Sequence, residues 1–344
     1  MSRSPAYVAL LVLSAMVLSC ASPMAAIDRT MSERIFWPGG KERPRIKYLW
    51  SLQRVLGAQG GKVSRAVFGD PVHGGRDADS ELLVKPHGVH LDAAGRLLIT
   101  DPGAGRISVV NLPDMRSFSI KETGDVSVFI PIAVASGPDG RIYMSDSALG
   151  RVGIFDTKGK FIRFIEGDFR RPTGLVIDRG RGVIYVCDTW SHIIYMYDLE
   201  GRKLGSIGKR GQENGEFYYP THLAVGKDGT LYVSDTMNFR VQFFSPDGEF
   251  LGSFGIPGET YNAFDKIKGI AVDSEGHIYV TDSVQDMVKI FDREGRLLLF
   301  FGQKGSFYGD FAHPAGIYID GQDRIFVADT LNRRVQAFQF LGGG

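Results

Sequence analysis

The stretch Pro220-Thr-His-Leu-Ala-Val-Gly-Lys-Asp-Gly-Thr-Leu-Tyr-Val-Ser-Asp235-Thr-Met-Asn-Phe-Arg240-Val-Gln-Phe-Phe244 decides the fold, because the chain repeats it. Its counterpart is Pro314-Ala-Gly-Ile-Tyr-Ile-Asp-Gly-Gln-Asp-Arg-Ile-Phe-Val-Ala-Asp329-Thr-Leu-Asn-Arg-Arg334-Val-Gln-Ala-Phe338. Each copy holds an alternating apolar run, a tight Asp/Gly turn, a second run ending in aspartate, a polar corner and a third run. The aspartate recurs at Asp101, Asp146, Asp188, Asp235, Asp282 and Asp329, at intervals of 45, 42, 47, 47 and 47 residues. That spacing gives one four-stranded blade per repeat.

The apolar period is two rather than 3.6, and β-branched and aromatic residues fill the runs, as in His277-Ile-Tyr-Val-Thr-Asp282. These are strands. Turns such as Ser245-Pro-Asp-Gly248 and Asp292-Arg-Glu-Gly295 supply short-hairpin chemistry. A meander of this kind shields both faces only by stacking on neighbours, so the array closes on itself. The expected fold is all-β: a six-bladed β-propeller of four-stranded antiparallel blades over residues 82–342. The sixth repeat ends at Phe340-Leu-Gly-Gly-Gly, one strand short, while Arg45-Ile-Lys-Tyr-Leu-Trp-Ser-Leu52 has strand character and no repeat of its own. An N-terminal strand at about 46–52 therefore completes the last blade.

The pattern Pro-x-Gly-Ile-x-x-Asp…Gly-x-Ile-Tyr-Val-x-Asp-Thr-x-Asn-x-Arg-Val-Gln-x-Phe resembles the NHL repeat. The match is strong in blades 4 and 6 and degenerate in blades 1 and 2, where Ile132-Ala133 replaces the x-Gly pair of blade 2. In blade 5, Ile267 stands for the proline and Met287 for the arginine. With its N-terminus, the chain resembles six-bladed propeller lipoproteins of metal-reducing and related envelope-rich bacteria, whose biochemical role is poorly defined. Related propeller enzymes, among them lactonases, amidating lyases and streptogramin lyases, use acidic or histidine groups converging at the channel mouth.

Residues 1–19 read as a secretory signal: a charged start, an apolar run from Ala6 to Leu18 too short for a membrane span, and a small-residue end. Val17-Leu18-Ser19-Cys20 resembles a bacterial lipobox, which makes Cys20 the lipidation site; cleavage after Ala21 is the alternative. Residues 20–45 read as a lipid-anchored tether, and 46–81 as the closing strand with a connecting helix or loop that includes Lys62 and Arg65. The chain is thus expected to be exported and membrane-anchored through lipid. Ala21-Ser22 after the cysteine favours the outer membrane.

Charge and composition narrow the function. Lys+Arg 40 against Asp+Glu 39 leaves a net charge of +1, without the basic excess that drives phosphate-backbone binding, so nucleic acid is not expected. Two cysteines, Cys20 and Cys187, permit neither a disulfide framework nor a haem or zinc motif. No cofactor is read from the sequence.

In a meander of strands a to d, the b–c loops and d-to-a crossings share one face. The longer crossings, such as Gly211–Pro220 and Gly302–Pro314, put the expected binding face there, over the channel. The candidate residues are His87, Thr173, Trp190, Tyr219, Thr221, His222, Phe239, Lys268, Tyr308 and His313. His87 follows its proline by one residue, His222 by two, and His313 precedes its own, so a zinc site is not read from them. The six aspartates, accompanied by Arg106, Arg151, Arg240 and Arg334, read as structural corners. Phe169, Phe217, Phe264 and Phe311 read as inter-blade packing, and Cys187 as a small core-edge residue.

The expected function is non-catalytic: a scaffold propeller at the cell envelope that binds a small ligand or an envelope protein through the b–c/d–a face. The alternative is a metal-assisted lyase or hydrolase with a channel-mouth histidine site.

Overall fold

The computed structural model describes residues 26–32, 34–39, 43–56 and 80–342. Cys20, residues 1–19 expected to form a signal segment, and the stretch around Lys62 and Arg65 lie outside the described residues.

Six sheets surround one axis. Blade 1 is Val89–Leu91, Arg96–Asp101, Arg106–Asn111 and Ser117–Ile120; blade 2 is Pro131–Ser136, Ile142–Asp146, Arg151–Phe155 and Phe161–Phe164. Blade 3 is Pro172–Asp178, Val183–Asp188, Ile193–Asp198 and Lys203–Ile207; blade 4 is Pro220–Val225, Leu231–Asp235, Arg240–Phe244 and Phe250–Phe254. Blade 5 is Ile267–Val272, Ile278–Asp282, Met287–Phe291 and Leu297–Phe301. Blade 6 has three strands of its own, Pro314–Ile319, Arg324–Asp329 and Arg334–Phe340. Its fourth is Ile46–Leu56, antiparallel to Arg334–Phe340. All rungs within the blades are antiparallel, and each first strand packs against the first strand of the next blade around the full ring. The molecule is a six-bladed β-propeller closed by its N-terminal strand.

Burial explains why the closed ring is required. Second strands are buried on both faces, as in Leu231–Asp235, while fourth strands such as Phe250–Phe254 alternate toward solvent. Among the described residues the buried apolar side chains form six clusters, each shared by two successive blades. A single blade has no core of its own, so its stability resides in its two seams.

Polar stitches run along the same seams. In blades 1, 2, 4 and 5 the residue before the repeat aspartate donates a hydroxyl to a carbonyl at the entrance of the next blade, as Thr100 does to Ile132 O at 2.9 Å, Ser234 to Lys268 O at 2.7 Å and Thr281 to Ala315 O at 2.6 Å. The threonine after the aspartate does likewise, Thr189 to Pro220 O at 2.7 Å, Thr236 to Ile267 O at 3.1 Å and Thr330 to Pro86 O at 2.8 Å. Blade 3 carries Cys187 in the hydroxyl position, fully buried, with Sγ 3.0 Å from Pro220 O; burial pushes its thiol up to about 12. Blade 6 carries Ala328 there and relies on Thr330.

Close approach of first strands accounts for the x-Gly pair. A Cβ on Gly316 would stand 2.4 Å from His87 O, and one on Gly269 2.4 Å from Ala315 O.

The closing strand serves two seams at once. Ile46 and Tyr48 join the cluster between blades 5 and 6, whereas Trp50 and Leu52 join the one between blades 6 and 1. A register shift opposite Ala337/Phe338 turns the strand over between them. Within the stretch read as a tether, Ala26–Asp28 and Phe36–Trp37 pair with this strand. Trp37 packs on Phe301 and Phe338, and the Tyr308 hydroxyl donates to Asp28 at 2.5 Å. Part of the expected tether is therefore strand, because these aromatic and aliphatic side chains find an uncovered flank of blade 6.

Candidate binding site over the channel

The repeat aspartates do not face the channel as free carboxylates. Each lies at the end of a second strand and accepts backbone amides from the crossing that enters its blade: Asp101 from Val84 and Lys85, Asp188 from Arg170 and Arg171, Asp282 from Asp265 and Lys266. Asp235 and Asp329 add an asparagine, an arginine and a glutamine from the corner, with Arg240 at 2.9 Å and Arg334 at 2.7 Å. Asp146 accepts only amides, and Arg151 lies instead 4.7 Å over the Phe164 ring. In blade 5, where Met287 replaces the arginine, fully buried Lys289 stands 3.5 Å from Asp282. Phe217, Phe264 and Phe311 are fully buried beneath the crossings and Phe169 nearly so.

Fixing the crossings in this way shapes a cup of about 450 Å³ on the b–c/d–a face. His87, Ile132, Thr173, Thr221 and Lys268, the second residues of five first strands or their approaches, converge there with His222 and Tyr219. Arg171, Lys266, Thr189, Thr236 and Met237 complete the wall. Sequence reasoning missed these five, although their signal was available: Arg171 and Lys266 precede the first strand by one residue, and Thr189 and Thr236 directly follow repeat aspartates.

Two histidines close the cup from below. Blades 1 and 4 are opposite in a ring of six, and His87 and His222 reach across the axis to stack, ring centroids 5.4 Å apart and planes within 19°. His222 occupies the position that is glycine in blades 1, 3, 5 and 6, which is what lets one ring extend to the other. Burial, then the Lys268 charge, lowers His87 to about 3; burial, His87 and Lys268 hold His222 well below its usual value. Both are neutral. The Thr236 hydroxyl donates to Ile267 O, which leaves Thr221 donating to Thr236 at 2.7 Å and His222 Nδ1 donating to Thr221 at 3.1 Å. Nε2 of His222 remains a buried acceptor without a partner.

Beneath the pair, Val89, Leu175, Leu223, Ile270 and Ile317 narrow the channel to a void of about 50 Å³. The opposite, hairpin face opens into a second cavity of about 400 Å³ containing His90, Ser136, Asp178, Arg179 and Tyr318. The sequence reading assigned nothing to that face. His90 Nε2 lies 2.9 Å from the Ser136 hydroxyl, and burial, with Arg179 adding to it, lowers His90 to about 3.

Four expected residues do not line the cup. Trp190 is half exposed at its shoulder, with the Arg171 guanidinium 5.3 Å over its ring. Phe239, in a left-handed conformation at φ 54°, packs into the seam of blades 4 and 5. Tyr308 belongs to the outer flank with Tyr48 and Asp28. His313 stands over Asp286, ring to carboxylate 3.8 Å, and does not meet the other two histidines. Among the described residues no three His, Cys, Asp or Glu side chains are grouped so as to hold a metal ion.

The architecture is that of a six-bladed β-propeller, and residues 217–244 match the NHL repeat model. Similar solved structures include the virginiamycin B lyase of Staphylococcus aureus, at TM-score 0.55 and 16% identity over 75% of this chain and 96% of that one. A streptogramin B lyase follows at TM-score 0.57 and 14% identity, over 77% and 84% of the two chains. Kuenenia stuttgartiensis hydrazine synthase is similar at TM-score 0.53 and 14% identity, over 74% and 95%. These likenesses establish the shared fold. No curated protein matches the chain in sequence.

Proposed function

We propose that this chain is a non-catalytic binding propeller, exported and held at the cell envelope by lipid on Cys20, that receives a small ligand or a segment of an envelope protein in the cup. The observation that carries the reading is convergence: residues from five blades form a cavity closed from below by the His87–His222 stack and open toward the loop face. Its volume falls in the range of small-molecule sites, roughly 300–1,000 Å³. A substitution that fills the cup, Thr221→Trp, tests it. Native mass spectrometry and pull-downs from solubilised envelopes should show bound components with the parent chain and none with the variant at an unchanged melting temperature. Identical capture by both chains would refute the cup as the binding site.

The second reading, a metal-assisted lyase or hydrolase, draws support from the meeting of His87 and His222 at the channel mouth and from the fold shared with the two lyases. Stoichiometric zinc or calcium in the purified protein, lost on His87→Ala or His222→Ala, would favour it over the binding reading. The anchoring has its own check: Cys20→Ala should move the chain from the membrane fraction to the soluble one.

A further inference from the structure

The cup's charges are one-sided. Arg171, Lys266 and Lys268 are its ionisable wall residues besides the histidines and Tyr219, and no carboxylate lines it. Lys268 is half-buried, and the described residues give its ammonium no hydrogen-bond or ion-pair partner. Arg171 touches only the Trp190 ring with its guanidinium. At the blade corners the desolvated cations are paired: Lys289 with Asp282 at 3.5 Å, Arg240 with Asp235 at 2.9 Å, Arg334 with Asp329 at 2.7 Å. Withdrawing a charge from water without a counter-charge is unfavourable. In Lys268 the cost is visible, since burial, followed by the neighbouring Lys266, lowers its pKa. The charges acting on both stacked histidines are cationic as well, Lys268 on each and Arg171 on His87. A protein that pairs its buried cations at the blade corners and leaves this one open has a site whose counter-charge comes from outside.

Resting on the cup reading above, we propose that the ligand is an organic anion, a carboxylate or phosphate monoester on an apolar body, with its charged group held between Lys268 and Arg171. Ile132 and Met237 offer apolar wall to the body, and Thr173 and Thr189, hydroxyl to hydroxyl at 2.7 Å, line the cup beside Arg171, whose carbonyl accepts the Thr189 amide at 3.0 Å. Lys266 stands exposed at the rim, where it draws anions in without being desolvated. Because His87 and His222 are uncharged, the attraction comes from the lysines and the arginine.

The test is calorimetric titration of the full chain in detergent with 4-phenylbutyrate, phenyl phosphate and the neutral 4-phenylbutyramide. Both anions should bind saturably and more tightly than the amide, with affinity falling as salt rises. Lys268→Met should weaken the anions about tenfold and leave the amide unchanged, while Lys268→Arg retains most of the affinity. Arg171→Gln, on an exposed side chain, should weaken the anions in the same direction and serves if Lys268→Met fails to fold. Equal binding of acid and amide, both lost in Thr221→Trp, would overturn the anion proposal and leave the cup reading standing. No binding of any probe would overturn the anion proposal. The cup reading falls with it only if Thr221→Trp also leaves envelope capture unchanged.

Discussion

At the scale of single residues, this fold depends on buried polar groups whose partners come from another strand or another blade. Asp329 holds Arg334, Asn332, Gln336 and the amide of Ala312. Asp329→Ala leaves a guanidinium that is 3% exposed without its counter-charge, and should cost about 3–5 kcal/mol in urea denaturation. Thr330→Val removes only the stitch to Pro86 O and should cost about 1–2 kcal/mol by the same measurement. The channel histidines make stability depend on pH. His90 is buried, and its folded pKa of about 3 lies below the ordinary 6.5. As pH falls the unfolded chain takes up the proton first, so this contribution is complete above about 6.5 and is lost as pH drops toward 3. At pH 5 the loss is on the order of 2 kcal/mol. His90→Gln should therefore show a shallower decline of the urea midpoint between pH 7 and pH 5 than the parent chain.

At the scale of elements, the closing strand is the most exacting part of the molecule. Tyr48 is fully buried and meets Phe338 at 5.7 Å and Tyr308 at 5.8 Å. Tyr48→Ala should cost about 3–5 kcal/mol, read from thermal or urea unfolding. A chain beginning at Arg45 should remain folded with a lowered melting temperature, since it loses Ala26–Asp28 and Phe36–Trp37 but keeps the strand. One beginning at Gln53 should not fold, because blade 6 is left with three strands and two seams lose part of their cores. Equal melting curves for the two truncations would contradict the closure. The strand's existence was legible from the count of strands per repeat. Its service to two seams was not, because period-two reading puts Ile46, Tyr48, Trp50 and Leu52 on one face and a bulge is decided by the partner strand. The same applies to Ala26–Asp28 and Phe36–Trp37, which are too short to show periodicity.

At the scale of the whole molecule, cores between blades couple every blade to two others, and ring closure leaves no terminal repeat to fray. Unfolding should be one cooperative transition despite the repeats. Fluorescence of Trp50 in the closing strand and of Trp190 at blade 3, each isolated by replacing the other tryptophans, should report the same midpoint as circular dichroism. Separate midpoints would mean that the seams act independently. The sequence by itself determined the blade count, the strand order, the corner aspartates and the face on which long crossings gather, because these follow from local patterns that recur at fixed intervals. Tertiary structure alone decided which of the candidate residues share a cavity. His87 and His222 are 135 residues apart and meet because blades 1 and 4 are opposite in a ring of six, whereas His313, which precedes its own proline, turns to Asp286. A distance across an axis is set by ring closure and by the side chains that fill it, and neither has a signature in the linear order of residues.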